Sequence, residues 1–454
     1  VTLPLLPYQV DGADFLANNA RYRIGLFDDM GLGKSAQAIA GADLIGAKRI
    51  IIVCPAAVRE VWRGEFRKFA KLDRRVLKGQ TINDLNLFLR CKADVLLLSY
   101  EMATKWAPKL AKDLYDLLIF DESQYLKGSG TQRTRAMLGQ RCDGSGGLAR
   151  WAARVWFLSG TPAPNDPIDI WPFLRFTGAT DINLRPFTDR YFRSRATGMY
   201  GVRLTPRDEL MPELRSAIKT VSLRRTKQEA GLTLPPIWLT TQTVDGDTHE
   251  IRQLLRSYPG LELEIKRAIE KGGLSFLDAQ HIATLRRLVG EAKAPAFVNL
   301  ITEELNNGTE KIVVFGIHKR ALESARNGLA ERGFRCVHVD GSVREGDRIR
   351  AVEAFQRDRD VRVFVGNIRA AGTGLTLTAS ADVVMLESDW APAANAQALN
   401  RVHRIGQERQ VRARFISLAN SIDEHVAATV ARKTRDILKL GFSDGLDTPR
   451  RTVA

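Results

Sequence analysis

The run Gly31-Leu32-Gly33-Lys34-Ser35 follows an apolar stretch, Arg23 to Phe27, and opens a helical pattern over Lys34 to Ile45. A glycine-containing turn between a buried strand and a helix start aims backbone N–H groups at one point, which makes a cradle for phosphate. In that cradle Lys34 is expected at the β and γ phosphates of a nucleotide and the Ser35 hydroxyl on Mg²⁺. One position departs from the general G-x-x-x-x-G-K-[ST] pattern, because Asp28 stands where glycine is called for. A second pair with chemical potential, Asp121-Glu122, ends the apolar run Asp116 to Phe120. Open α/β sheets bind ligands at the carboxyl ends of their strands. There Asp121 is expected in the Mg²⁺ shell, while Glu122 orients and deprotonates the attacking water. Ser159-Gly160-Thr161-Pro162 ends another apolar run and places small hydroxyls near the same edge, where they could link nucleotide state to lobe movement.

In the second half, Gln397, Arg401 and Arg404 lie at i, i+4 and i+7, which predicts one helix presenting all three on a single face. Two guanidiniums beside an amide seek anions. The first half supplies lysine, metal ligands and base but no evident arginine finger. Completion of the site by Gln397, Arg401 and Arg404 would make hydrolysis depend on closure.

The elements that must position these residues are parallel strands alternating with helices. Apolar, β-branched runs occur at Arg23 to Phe27, Arg49 to Cys54, Asp94 to Ser99, Asp116 to Phe120 and Arg154 to Ser159. They return at Lys311 to Phe315, Cys336 to Asp340, Val361 to Gly366, Asp382 to Glu387 and Arg412 to Leu418. Two doubly wound sheets are expected. The boundaries read as an N-terminal lobe over 1–235, a helical linker over 236–292, a C-terminal lobe over 293–440 and a basic polar tail over 441–454. A length of 454 residues suits two such domains with a smaller insert.

The 68 Lys and Arg against 52 Asp and Glu leave a charge of +16, which favours a polyanionic partner, nucleic acid first. Cys54, Cys91, Cys142 and Cys336 are widely spaced and read as reduced thiols in a cytosolic setting. The histidines form no metal-binding pair, and neither a membrane span nor a secretory signal is expected.

Taken in order, the segments resemble the motif series of helicase superfamily two, and within it the Swi/Snf family of double-stranded DNA translocases. Leu6-Pro7-Tyr8-Gln9-Val10-Asp11-Gly12 looks like the family's glutamine motif, which implies that Gln9 reads adenine. Asp28-Asp29-Met30-Gly31-Leu32-Gly33-Lys34-Ser35 looks like motif I, whose family members also carry an acid first. The implied nucleotide-binding set is therefore Gln9, Asp29, Met30, Gly31, Leu32, Gly33, Lys34 and Ser35. Val53-Cys54-Pro55 with Trp62 and Glu65-Phe66, then Ser99-Tyr100-Glu101, resemble the next two motifs. Asp121-Glu122-Ser123-Gln124 is similar to motif II, with Gln124 where many relatives have histidine, and Leu158-Ser159-Gly160-Thr161-Pro162 to motif III. Leu223-Arg224-Arg225-Thr226-Lys227, followed by Leu234-Pro235-Pro236, looks like the brace between lobes. Asp340-Gly341-Ser342 and Arg369-Ala370-Ala371-Gly372-Thr373-Gly374-Leu375-Thr376 follow, and the run Gln397 to Gln407 is the most specific match.

The resemblance implies two tandem RecA-like α/β lobes and a DNA-dependent ATPase using ATP and Mg²⁺. Thr376 and Tyr125-Leu126-Lys127 look closer to the annealing-helicase branch, and the short inserts suggest a minimal bacterial or phage-like motor core, acting at the nucleoid, or in the nucleus if eukaryotic. By motif position, the implied nucleic-acid contacts are Ser99, Tyr100, Thr161, His318, Lys319, Ser342, Arg369, Thr373 and Trp390. Duplex DNA is expected along both lobes, opposite the nucleotide, held by phosphate contacts. Strand separation or annealing, the motor subunit of a restriction or defence complex with specificity in a protein partner, and an ATP-gated DNA clamp remain as alternatives.

Overall fold

The computed structural model describes residues 3–163, 167–196, 202–232, 234–271, 279–371 and 375–439. The chain divides into two units, Val1–Leu232 and Thr233–Leu440.

In the first unit seven strands make one parallel sheet: β1 Arg23–Leu26, β2 Ile50–Cys54, β3 Val76–Leu77, β4 Val95–Ser99, β5 Tyr115–Asp121, β6 Ala152–Leu158 and β9 Ser222–Leu223, in the order β3-β4-β2-β5-β6-β1-β9. A separate antiparallel hairpin pairs β7 Phe192–Ala196 with β8 Val202–Pro206. Successive side chains of a strand alternate between faces, and here both faces are covered. Ile51, Val53, Leu118, Phe120 and Phe157 pack on one side, whereas Ile50, Ile52, Leu117, Ile119 and Trp156 pack on the other. Helices α1 Pro7–Asn18, α2 Lys34–Leu44 and α3 Arg59–Phe69 close the second face through Leu16, Ile39, Trp62 and Phe66.

The second unit repeats the plan with six parallel strands: β10 Ile237–Val244, β11 Ile312–Gly316, β12 Arg335–Val339, β13 Val361–Asn367, β14 Asp382–Met385 and β15 Val411–Leu418, in the order β10-β15-β14-β11-β13-β12. Val313, Phe315, Phe364 and Phe415 fill one face, and Ile312, Val314, Val363 and Val384 the other. Among the described residues no helix is long and apolar enough to cross a membrane.

The linker drawn over 236–292 needs correction at both ends. Ile237–Val244 is a strand of the second sheet, in register with β15 over its whole length. Leu239 and Val244 are buried in the cores on opposite faces of the sheet, while Trp238, Thr240 and Thr241 are exposed, as suits a strand at its edge. At the other end, the boundary at 292 and 293 falls inside the continuous helix Ala279–Asn306. The helices His249–Ser257 and Leu261–Lys271 lie between.

Candidate active site

The phosphate loop joins β1 to α2. Gly31 and Gly33 have φ of 90° and 71°, a region glycine enters without a Cβ penalty. A Cβ on Gly33 would also come within 2.4 Å of the Gln9 amide nitrogen. Helix α2 starts at Lys34 with Gly33 at its N-cap and no side-chain cap, so no side chain competes with an anion for its leading N–H groups. Lys34 Nζ donates to the carbonyls of Asp28 (2.7 Å) and Asp29 (3.2 Å). Burial pushes its pKa down, against the charges of Glu122, Asp28, Asp121 and Asp29. Ser35 is half-buried one residue on, while Met30 and Leu32 are buried under the loop. Gln9 accepts the Leu6 N–H at 3.0 Å and donates to the Leu32 carbonyl at 3.3 Å, fastening α1 to the loop.

Asp28 is fully buried and has its own cation. Arg225 donates Nε and Nη2 to its two oxygens at 3.1 and 2.6 Å, and Nη1 to the Tyr8 carbonyl at 2.6 Å. Gln37 adds a bond to Asp28 at 3.1 Å. The Asp29 N–H donates to the Arg225 carbonyl at 2.9 Å. Burial raises the Asp29 carboxyl, against Arg224 and Lys34. The segment that resembles an inter-lobe brace is thus bonded to the phosphate loop within its own unit. Its only sequence signal was that a carboxylate behind a buried strand needs a counter-charge.

β6 lies between β1 and β5, which brings Asp121 and Glu122 to the same edge as Lys34. Asp121 Oδ2 accepts the Trp62 indole N–H at 2.7 Å, and Oδ1 the Glu122 N–H at 3.0 Å. Burial, then the charge of Glu122, pushes the Asp121 carboxyl up to about 7, opposed by Trp62 and Lys34. A divalent cation beside these adjoining acids would offset part of their charge. Asp121 and the Ser35 hydroxyl are hard oxygen donors of the kind Mg²⁺ takes, so the residues fit that ion. Glu122 sits in the left-handed region at φ 52°, ψ 52°. Its Oε2 accepts the Gln124 amide N–H at 2.6 Å, Gln124 Oε1 accepts the Ser159 hydroxyl at 2.7 Å, and Ser159 Oγ accepts the Thr161 N–H at 2.9 Å. Glutamine has both the donor and the acceptor this chain of bonds requires.

Three expected nucleic-acid contacts face inward. Tyr100 is 1% exposed; its hydroxyl donates to the Asp121 carbonyl at 2.9 Å and its ring stacks on Tyr125 at 5.1 Å. Ser99 is buried and caps the helix Tyr100–Leu110, and Thr161 is buried beside Ser159. Tyr100 braces the acid pair and Ser99 its own helix, and none of the three presents a surface.

In the second unit, His318, Ser342, Arg369 and Trp390 follow the carboxyl ends of β11, β12, β13 and β14, one per strand. Parallel register alone brings them to one edge. Lys319 and Arg369 are well exposed, at 63% and 78% of their side chains, and Ser342 is exposed in a turn closed by Asp340. Buried acids support this row. Glu387 accepts His318 Nδ1 at 2.6 Å and the N–H groups of Ile317 and His318 at 2.9 and 2.8 Å. Burial alone would raise the Glu387 carboxyl, but these bonds outweigh it and hold the pKa low. Asp389 accepts Arg369 Nε at 3.1 Å, and Arg286 lies 4.8 Å above the Trp390 ring. The spacing of residue types gave no sign of Glu387 or Asp389. Thr373 lies outside the described residues.

The single helix face expected for Gln397, Arg401 and Arg404 is not formed. The helix Pro392–Leu399 holds Gln397 and stops with Asn400 as its C-cap; Arg401 and Arg404 follow in turns. Tertiary bonds hold that path. Arg404 Nη1 donates to the Leu375 carbonyl at 3.1 Å, the Leu377 N–H to the Arg401 carbonyl at 2.8 Å, and the buried Gln407 amide to the Ser380 carbonyl at 2.7 Å. Together they outweigh continuation of the helix.

Residues 8–253 match the family described as SNF2-related domain, and residues 292–406 that described as helicase conserved C-terminal domain. With the phosphate loop and acid pair in place, these matches define the class: an SNF2-related domain followed by a helicase conserved C-terminal domain. The first match takes in more than half of the sequence, and the chain belongs to the SNF2-related family. It is 28% identical, over 99% of its length, to the SWI/SNF-related matrix-associated actin-dependent regulator of chromatin subfamily A-like protein 1 of Drosophila melanogaster, and 29% identical, over 95%, to the human DNA annealing helicase and endonuclease ZRANB3. It spans 58% and 40% of those relatives. A solved SWI2/SNF2 ATPase core of Sulfolobus solfataricus in complex with dsDNA aligns with 98% of this chain and 94% of its own at 22% identity, with a TM-score of 0.46, a likeness too loose to bear on function.

Proposed function

We propose that the chain is a DNA motor that translocates on duplex DNA through ATP-driven opening and closing of its two lobes, remodelling DNA or displacing bound protein. The observation that carries this reading is the unbroken set of bonds from Glu122 through Gln124 and Ser159 to Thr161, which ties the proposed base to a neighbouring strand end. Any shift at that strand end moves the carboxylate that orients water, so hydrolysis and movement are mechanically linked. Lys34 holds the β and γ phosphates. Ser35 and Asp121 would hold Mg²⁺, which would supply charge stabilisation to the transferring phosphoryl group. Glu122 takes the proton of the attacking water. Arg401 and Arg404 supply the cations that the phosphates still lack, and the Gln397 amide donates beside them. His318, Lys319, Ser342, Arg369, Thr373 and Trp390 meet the DNA backbone, which makes tracking independent of sequence. The place of action is wherever the DNA is, nucleoid or nucleus.

Steady-state ATPase with duplex, single-stranded and forked DNA, paired with triplex displacement, tests the proposal. Duplex-stimulated turnover and ATP-dependent triplex displacement without strand separation are expected; clear unwinding of a tailed duplex with no triplex displacement would refute it. Arg401→Ala is expected to cut stimulated turnover by about 10³-fold while ATP still binds. A second reading follows from the human relative's description as an annealing helicase: rewinding of complementary strands, scored by annealing of a coated bubble.

A further inference from the structure

Trp62 sits in the first turn of α3 with 0% of its surface exposed, packed in the core that also holds Ile52, Ile119 and Phe66. Packing alone asks nothing polar of that position. Yet the indole's one polar atom, a donor with no acceptor role, points at the end of β5 and meets Asp121 Oδ2 at 2.7 Å. The Glu122 N–H meets the other oxygen at 3.0 Å. A carboxylate held at both oxygens cannot rotate about its Cβ–Cγ bond without losing one bond. The Phe66 ring is a neighbour in the same core, its centroid 6.3 Å from the indole, and makes no hydrogen bond to it.

We propose that Trp62 is a positioning residue of the nucleotide site, whose indole N–H fixes the Asp121 carboxylate in the rotation that ligates Mg²⁺. The inference rests on the reading of Asp121 as a Mg²⁺ ligand. Groups that orient a metal-bound side chain typically contribute 10–100-fold in metal affinity. Loss of this bond therefore weakens Mg²⁺ by about tenfold or more and leaves the metal-free nucleotide contacts as they were.

The cleanest probe is Trp62→3-benzothienylalanine in the full chain, which replaces the N–H by sulfur and keeps the shape; Trp62→Phe is the encoded version. Mg²⁺ titrations of ATPase are read beside the affinity of a fluorescent ATP analogue in Mg²⁺ and in EDTA. The half-saturating Mg²⁺ concentration rises about tenfold, affinity in EDTA is unchanged, and turnover recovers at high Mg²⁺. Phe66→Leu, which loosens the same core without touching a hydrogen bond, leaves the Mg²⁺ dependence alone. An unaltered Mg²⁺ titration in the sulfur variant, or an equal shift in Phe66→Leu, overturns the proposal. Asp121→Asn separates the two readings: if it keeps the wild-type Mg²⁺ dependence of nucleotide binding, Asp121 is not the ligand. If it loses that dependence while the Trp62 variants do not, only the positioning role fails.

Discussion

Both units carry an all-parallel sheet and use its carboxyl edge, but they dress that edge in opposite ways. In the first, the side chains with chemistry are already bonded to one another: Lys34 to loop carbonyls, Asp28 to Arg225, Asp121 to Trp62, Glu122 to Gln124. In the second, cationic and polar groups such as Lys319, Arg369 and Ser342 stand in solvent above buried carboxylates. Preset, water-poor groups suit a reaction on one small anion, where fixed dipoles need no reorganisation. Exposed cations on a straight edge suit a long anion, whose binding comes from released counterions.

The largest effects should come from the first edge. Lys34→Ala and Glu122→Gln are each expected to lower turnover by about 10³-fold or more, with Glu122→Gln still binding ATP; wild-type-like rates from either would erase the contrast. Next comes Arg225→Ala, which leaves Asp28 charged and buried. It should cost about 3–5 kcal/mol in a denaturant titration of the first unit, and replacing both partners with apolar residues should recover part of the loss. Gln124→Ala should cut DNA-stimulated turnover roughly tenfold, more than basal turnover, because it interrupts the bonds between Glu122 and Ser159. The smallest effect belongs to the second edge. Arg369→Ala should flatten the dependence of log affinity on log salt by about one phosphate contact, and Tyr100→Phe should leave that slope untouched.

The strands were legible because most are buried on both faces and read as unbroken apolar runs. β10 was not, since polar and exposed residues such as Thr240 and Thr241 break its apolar run and it follows two prolines. Local periodicity carried Lys34, Asp121 and Glu122 to the correct edge, because each lies within a few residues of the strand that delivers it. It misplaced Arg401 and Arg404, whose path depends on carbonyls near residues 375–380. The Arg225–Asp28 pair, 197 residues apart, joins two segments that no window spans. Tyr100 was assigned outward by motif position alone, and only packing shows that its hydroxyl is spent on the Asp121 carbonyl.

Glu122 has φ 52° and ψ 52°, a conformation that costs a residue with a Cβ about 1–2 kcal/mol. Glycine would relieve that strain, so a chain optimised for folding alone would carry glycine at this position. Glu122→Gly should then melt a few degrees higher than the native protein while hydrolysing nothing. Thermostability screens that ignore turnover would select that inactive form, since the proposed catalytic carboxylate stands where the fold would rather have no side chain at all.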